Sequence, residues 1–221
     1  MKESNEKSVE LKLLDTALDL FYKNGYDNTS VKAIIDEVGV SKGAFYHYFS
    51  SKEEVLETIA KRYAESLVKI IDKIESDNSL NGLEKMNKVI SSLQEYKKEH
   101  KEYRKKMAEV FRMEDNIKLQ KKILDNIIKL VSPAYMSIIE QGNKEGFFKV
   151  SYPEEAAEMI INLGTILKGN LVKIYYDENE SNKIIERKIK FFEETFQRIL
   201  GAKEGSIVLA KPIINRINKL K

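Results

Sequence analysis

The sequence predicts an all-α protein, and three observations carry that reading. Apolar residues recur at three- and four-residue intervals along almost the whole chain. No convincing strand interrupts them, and only 10 Gly and 3 Pro punctuate 221 residues. A barrel or sandwich needs turn residues every ~8–12 positions, which this chain does not supply. Its 42% apolar and 33% charged residues suit a sizeable core under a charged surface. The absence of Cys excludes a disulfide framework, a thiolate metal site and a Cys nucleophile. His47 and His100 are too few for a histidine-rich metal centre. No apolar run approaches the roughly 20 residues that span a bilayer, and Met1 to Glu10 is too polar for a signal peptide. A cytoplasmic chain without a membrane partner is expected.

The first helix is expected from about Ser8 to Asn24, with Leu11, Leu14, Leu18 and Phe21 at helical spacing. Leu13, Ala17 and Leu20 widen that stripe. Gly25 is placed to take the left-handed C-terminal position, with Tyr26 packing back. Thr29 and Ser30 supply an N-cap for a short helix over Val31–Val38, apolar at Val31, Ile34, Ile35 and Val38. Gly39 breaks it, and Ser41 caps the next, Lys42–Tyr48. A fourth helix begins after Ser50-Ser51 and extends to about Ser76. Beyond the polar break around Asn81-Gly82, helical stretches fall near Leu83–Lys98, Lys101–Met113 and Ile117–Gln141. Ser132-Pro133 kinks the last of these or marks a boundary in it. Gly142 and Gly146 bracket a loop, Pro153 opens a helix to Tyr176, and Ser181–Leu200 follows. Glu154 and Glu155 favour a helix N-terminus rather than a catalytic pair. The tail from Gly205 to Lys221 fits a last amphipathic helix interrupted at Pro212.

The informative segment is Thr29 to Lys52. Two short helices joined by a tight turn at Gly39 form the pattern of a helix-turn-helix over residues 30–49. The second helix of such a unit enters the DNA major groove. Helices this short are marginal alone and must lean on a neighbour. Phe45 and Phe49, four apart, point inward. Ser41-Lys42-Gly43-Ala44 leads in, and Gly43 would allow close approach to DNA. Tyr46 and His47 offer a hydroxyl and an imidazole outward, while Tyr48 and Lys52 stand near the flanking phosphates. The plainer reading of Tyr46, His47 and Tyr48 is ordinary aromatic packing.

The run TSVKAIIDEVGVSKGAFYHYFSSKE, from Thr29 to Glu53, resembles the signature of TetR-family (TetR/AcrR type) transcriptional regulators. Upstream, ALDLFYKNGY from Ala17 to Tyr26 is similar to that family's first helix. Glu145-Gly146-Phe147-Phe148 followed by Pro153-Glu154-Glu155-Ala156-Ala157 is similar to a pattern preceding its dimerisation helices. The resemblance implies a DNA-binding domain over residues 7–67 and a ligand-sensing and dimerisation domain over 68–221. It further implies a homodimer on a pseudopalindromic double-stranded operator. Base-reading positions match Lys42, Gly43, Ala44, Tyr46 and His47. Phosphate-facing or capping positions match Ser30, Lys32, Ser41, Tyr48 and Lys52. Two features depart from the pattern. Ile35 stands where the family often has a small residue. Residues 1–60 carry 7 Lys against 11 Asp or Glu, a net charge of −4 against which phosphate contacts must work.

For the C-terminal part, a small apolar or amphipathic effector is expected, with Met86, Ile90, Tyr103, Met107, Phe111 and Tyr135 as candidate lining. Apolar walls with a few hydroxyls suit such a ligand, although residues of this kind are more often plain core. No metal or cofactor is expected. For pairing, Ile160, Leu163, Leu167 and Leu171 form one stripe, with Gly164 letting a facing helix approach. Ile189, Phe192, Phe196 and Ile199 form another. Two such broad faces exceed what one small domain buries, so a four-helix bundle across a two-fold axis is expected.

The leading expectation is a ligand-responsive transcriptional repressor. The alternative is a DNA-binding architectural or protein-interaction factor on the same fold, without a small ligand. No Gly-rich phosphate loop, nucleophile–base constellation or metal-spaced His/Glu set speaks for an enzyme. The basic run from Lys97 to Lys106 interleaves acids with its bases, as a solvated helix face does.

Overall fold

The computed structural model describes residues 2–99, 117–176 and 182–209, with side chains described except at 2–8, 94–99, 119, 168–176, 182 and 185. Among the described residues there are eight helices and no strand. They are α1 (Lys2–Asn24), α2 (Val31–Val38), α3 (Lys42–Tyr48), α4 (Lys52–Glu75), α5 (Gly82–Glu99), α6 (Ile117–Lys144), α7 (Pro153–Tyr176) and α8 (Asn182–Leu200). The helix expected over Lys101–Met113 lies outside the described residues, as does the tail beyond Leu209. Two compact units emerge: Met1–Ala64 with Lys101–Asn126, and Glu65–His100 with Ile127–Lys221. The divisions fall inside α4 and inside α6.

The first unit is built on one apolar cluster. Leu13, Leu14, Ala17, Leu18 and Phe21 of α1 are buried with Ile34, Phe45, Phe49, Val55, Leu56 and Ile59, while Leu11 is 42% exposed. Local chemistry sets each boundary. Gly25, at φ +83°, donates its N–H to Phe21 O at 3.1 Å and closes α1. Thr29 does not cap α2. Buried, it turns back and donates its hydroxyl to Leu20 O and Gly25 O, leaving Ser30 as the cap. Ser30 Oγ accepts from Ala33 N–H at 3.1 Å, and Ser41 Oγ accepts from Ala44 N–H at the same distance. Between them Gly39 takes φ +75° and donates to Ile35 O, the left-handed ending a side chain would strain. At the start of α4, Ser51 Oγ accepts from Glu54 N–H while the Glu54 carboxylate accepts from Ser50 N–H and Oγ–H.

In the second unit, α5 and α6 meet at a crossing of two glycines. A Cβ at Gly82 would lie 2.5 Å from Gly142 N and 2.6 Å from Gly142 Cα. Beside them, Gly82 N–H donates to Glu145 at 2.7 Å, and Gln141 donates to both Leu80 O and Glu145. The amine of Lys85, only 4% exposed, donates to Glu75 O at the end of α4. Pro133 sits inside α6 without ending it. Proline removes the donor that the Lys129 carbonyl would otherwise use, and both residues are exposed, so water can serve that carbonyl. Gly146, at φ +81°, starts the loop that buries Phe148, and Pro153 opens α7 as expected. The tail from Gly205 to Leu209 is not helical, contrary to expectation. Its backbone groups bond to side chains of α5 and α8 instead of to one another.

Candidate nucleic-acid interface

The helix-turn-helix presents α3 by burying one side of it. Phe45 is fully buried and Phe49 nearly so, their rings 6.0 Å apart. The opposite side carries Lys42, Gly43, Tyr46 and His47, all exposed, with Ala44 and Tyr48 half-buried. Tyr46 is 48% exposed, and Lys42 Nζ lies 5.8 Å from its ring centre. His47 stands edge-on to Tyr48 at 5.0 Å. Tyr46 and His47 therefore do not pack into the core.

Gly43 is informative because nothing among the described residues demands it. A Cβ there would meet only Ser41 Oγ, at 3.9 Å, an ordinary contact. Glycine weakens a helix relative to alanine by roughly 0.5–1 kcal/mol. Such a residue on an exposed helix start suits the close approach of a partner's backbone.

The five other candidates divide. Ser30 and Ser41 are the caps described above. Lys32 is exposed and pairs with Asp36 one turn on, a weak surface pair that leaves it within reach of solvent. Tyr48 flanks α3 on its half-buried edge. Lys52 differs. Its ammonium donates to Tyr26 O at 2.7 Å and lies 4.2 Å over the Tyr26 ring, and burial pulls its pKa down. It locks the turn after α1 to the start of α4 rather than reaching outward. Tyr26 adds a second lock, donating its hydroxyl to Glu53 at 2.9 Å. Burial first, then Glu53, raises the pKa of that phenol, and Glu53 is in turn held below the usual carboxylate range by hydrogen bonds from backbone and Tyr26.

The acidic balance of residues 1–60 is also partly answered. Lys118 pairs with Asp27 at 3.2 Å, and Lys122 with Glu57, both lysines coming from the stretch of α6 that belongs to this unit. A count along the sequence misses this, because the unit is not contiguous in sequence.

In the second unit, Met86, Ile90 and Tyr135 are buried, and Tyr103, Met107 and Phe111 lie outside the described residues. Ser132, one turn from Tyr135, was not among the candidates, yet its buried Oγ has no hydrogen-bond partner. The pairing stripes need correction. Ile160, Leu167, Ile189, Phe192 and Phe196 are buried inside their own chain. Leu163, Gly164 and Ile199 are half-buried, and the side chain of Leu171 lies outside those described. Helical periodicity marks an apolar face but not what covers it; here α7 and α8 cover one another. Among the described residues, the large apolar side chains left outside are Met159 (53% exposed) and Ile166 (54%) on α7 and Phe191 (59%) on α8. Phe191 sits one position off the buried stripe, in a shallow depression with Lys183, Glu186, Arg187, Lys190 and Glu194.

Among the described residues no helix is long and apolar enough to cross a membrane, and no cluster of His, Asp or Glu suits a metal ion.

Comparison with known proteins agrees with this geometry. Residues 13–59 match the family model of bacterial regulatory proteins of the tetR family, and residues 98–195 match a tetracyclin repressor-like C-terminal domain. The HTH-type transcriptional regulator YuxN of Bacillus subtilis is 47% identical over 57 residues, 26% of this chain and 20% of that one. The fatty acid metabolism regulator protein of the same organism is 31% identical over 93 residues, 41% of this chain and 45% of that one. The chain thus spans less than half the length of these curated relatives. The crystal structure of FadR from Bacillus subtilis with stearoyl-CoA superposes with a TM-score of 0.63 at 20% identity, covering 86% of this chain and 97% of that one. That likeness is one of fold. Two family models over two different parts of the chain, joined to a helix-turn-helix whose caps and turn are all in place, assign it: the chain belongs to the tetR family of bacterial regulatory proteins.

Proposed function

We propose that this chain is a transcriptional repressor that binds a pseudopalindromic operator as a homodimer and is released by a small apolar or amphipathic effector. The observation that carries the reading is the outward side of α3, where Gly43 has no cause among the described residues and Tyr46 and His47 stand clear of the core. Lys42, Gly43, Ala44, Tyr46 and His47 would face base edges. Ser30, Ser41 and Tyr48, with Lys32, would face the phosphates. Selection from random duplexes followed by fluorescence anisotropy tests it. Tyr46→Ala should lose about 1–3 kcal/mol on the selected site and little on scrambled DNA. Equal loss on both would show that Tyr46 reads no base.

Salt dependence separates Lys42, which opens α3, from Lys52, which opens α4. Lys42→Ala should flatten the slope of log affinity against log salt by roughly one phosphate per subunit. Lys52→Ala should leave that slope unchanged and lower the thermal midpoint instead, since its ammonium is bound to Tyr26 O. A flatter slope for Lys52→Ala would return it to the phosphate-facing set.

For the effector, the support is a pair of hydroxyls in apolar surroundings. Ser132 Oγ lacks a partner, and Tyr135, 6% exposed, has its pKa pushed up by burial alone. An unmet buried hydroxyl costs about 1–3 kcal/mol, which a ligand carrying one polar group on an apolar body would recover. FadR from Bacillus subtilis is seen in complex with stearoyl-CoA, whose acyl chain is an apolar body, and long-chain acyl compounds are the first probes to try for operator release. An architectural factor on this fold would hold its operator regardless of them.

A further inference from the structure

The segment that follows α8 is bound in a way its sequence does not announce. The backbone reverses at Gly201, where φ is +57° and a Cβ would lie 2.9 Å from the Lys149 carbonyl oxygen. Residues 205–209 then lie along α5 and α8. Asn87 of α5 brackets Ile207 with one amide: its Nδ2 donates to Ser206 O at 2.9 Å, and its Oδ1 accepts from Val208 N–H at 2.8 Å. Gln197 of α8, itself only 6% exposed, does the same with Gly205 N–H at 3.0 Å and Ile207 O at 3.4 Å. Glu193, one turn earlier on α8, accepts from Leu209 N–H at 2.7 Å. Ile207 (1% exposed) and Leu209 (6%) point in, while Val208 between them is 40% exposed. That alternation has the period of two of an extended strand.

We propose that α5 and α8 form a recognition groove for an extended peptide with apolar side chains two residues apart. It is occupied in cis by residues 205–209, which act as a strap fastening α5 to α8. Here five backbone hydrogen bonds go to side chains of α5 and α8, beside one local bond from Ser206 N–H to Lys203 O, so the groove reads the backbone itself, as a sheet edge would. The two inserted side chains supply the selectivity. Asn87 also sits beside Met86 and within a turn of Ile90, both buried. The strap therefore holds the helix that carries these core residues, and releasing it would loosen that wall of the unit.

Hydrogen–deuterium exchange on the full-length chain tests it. The amides of Gly205, Val208 and Leu209 should exchange at least tenfold more slowly than in a free peptide of residues 203–209. Asn87→Ala should accelerate Val208 about tenfold and leave α2 and α3 unchanged. Ile207→Asp, a change in the strap itself, should free all three amides and raise exchange along α5. Adding the free peptide to the Ile207→Asp chain should restore protection on α5. Free-peptide rates at Val208 and Leu209 in the wild-type chain would overturn the strap, and so would an Asn87→Ala chain with unchanged exchange. Failure of the added peptide to protect α5 would overturn the groove.

Discussion

Gly82→Ala should destabilise the C-terminal unit by about 2–4 kcal/mol, even though alanine is the better helix former. The new Cβ would lie 2.5 Å from Gly142 N, 2.6 Å from Gly142 Cα and 3.1 Å from Ile138 O. All three obstacles are backbone, so no side chain can rotate away, and relief requires α5 and α6 to separate. Separation would also stretch the bond from Gly82 N–H to Glu145 and the bonds of Gln141 to Leu80 O and Glu145. In a chain of this size each kcal/mol lowers the thermal midpoint by roughly 2–4 °C, so circular dichroism should record a fall of about 5–15 °C. Gly43→Ala is the matching control. Its Cβ meets only Ser41 Oγ at 3.9 Å, so stability should hold or rise slightly while operator affinity falls. A Gly82→Ala chain as stable as the wild type would mean the helices do not cross this closely.

The DNA-binding unit was legible because its boundaries are local chemistry. Ser30, Gly39 and Ser41 each act on a backbone group within four residues, and such effects can be read from adjacent letters. Thr29 shows the limit: its hydroxyl turns back to Leu20 O, a choice made by burial and not by spacing. Lys52 shows it again, since only the fold brings Tyr26 O within 2.7 Å of its ammonium. The lysines that answer Asp27 and Glu57 lie 91 and 65 residues away, out of reach of any running charge count. In the C-terminal unit, stripes identified core residues correctly as apolar but assigned several of them to a partner. Periodicity says that a face is covered, and topology says by what. Residues 205–209 depart from the expected helix for a related reason: Asn87, Gln197 and Glu193, distant in sequence, take their backbone bonds.

That distinction between covered and uncovered faces yields the sharpest contrast in the molecule, at two phenylalanines five residues apart on α8. Phe196 is 4% exposed and Phe191 is 59% exposed. Phe196→Glu should unfold the C-terminal unit, because a carboxylate buried without a partner costs several kcal/mol. Phe191→Glu should leave the helices intact, since its side chain is 59% exposed. What it should remove is pairing. Among the described residues, Phe191, Met159 and Ile166 are the large apolar side chains that α7 and α8 leave exposed, and exposed aromatic and Met side chains are typical anchors of a protein interface. In a two-fold arrangement a residue near the axis faces its own copy, so one substitution places two like charges together. Glu194 already stands in the same depression and would add to the repulsion. Dimer dissociation should rise by at least ~100-fold, about 2.7 kcal/mol. Because two half-sites are bound tightly only when the subunits are joined, operator affinity should collapse although α3 is untouched. Sedimentation velocity at micromolar concentration and anisotropy on the selected operator read the two effects. A Phe191→Glu chain that stays dimeric and binds normally would place the pairing surface elsewhere, and a folded, monomeric Phe196→Glu chain would restore the buried stripe as the interface.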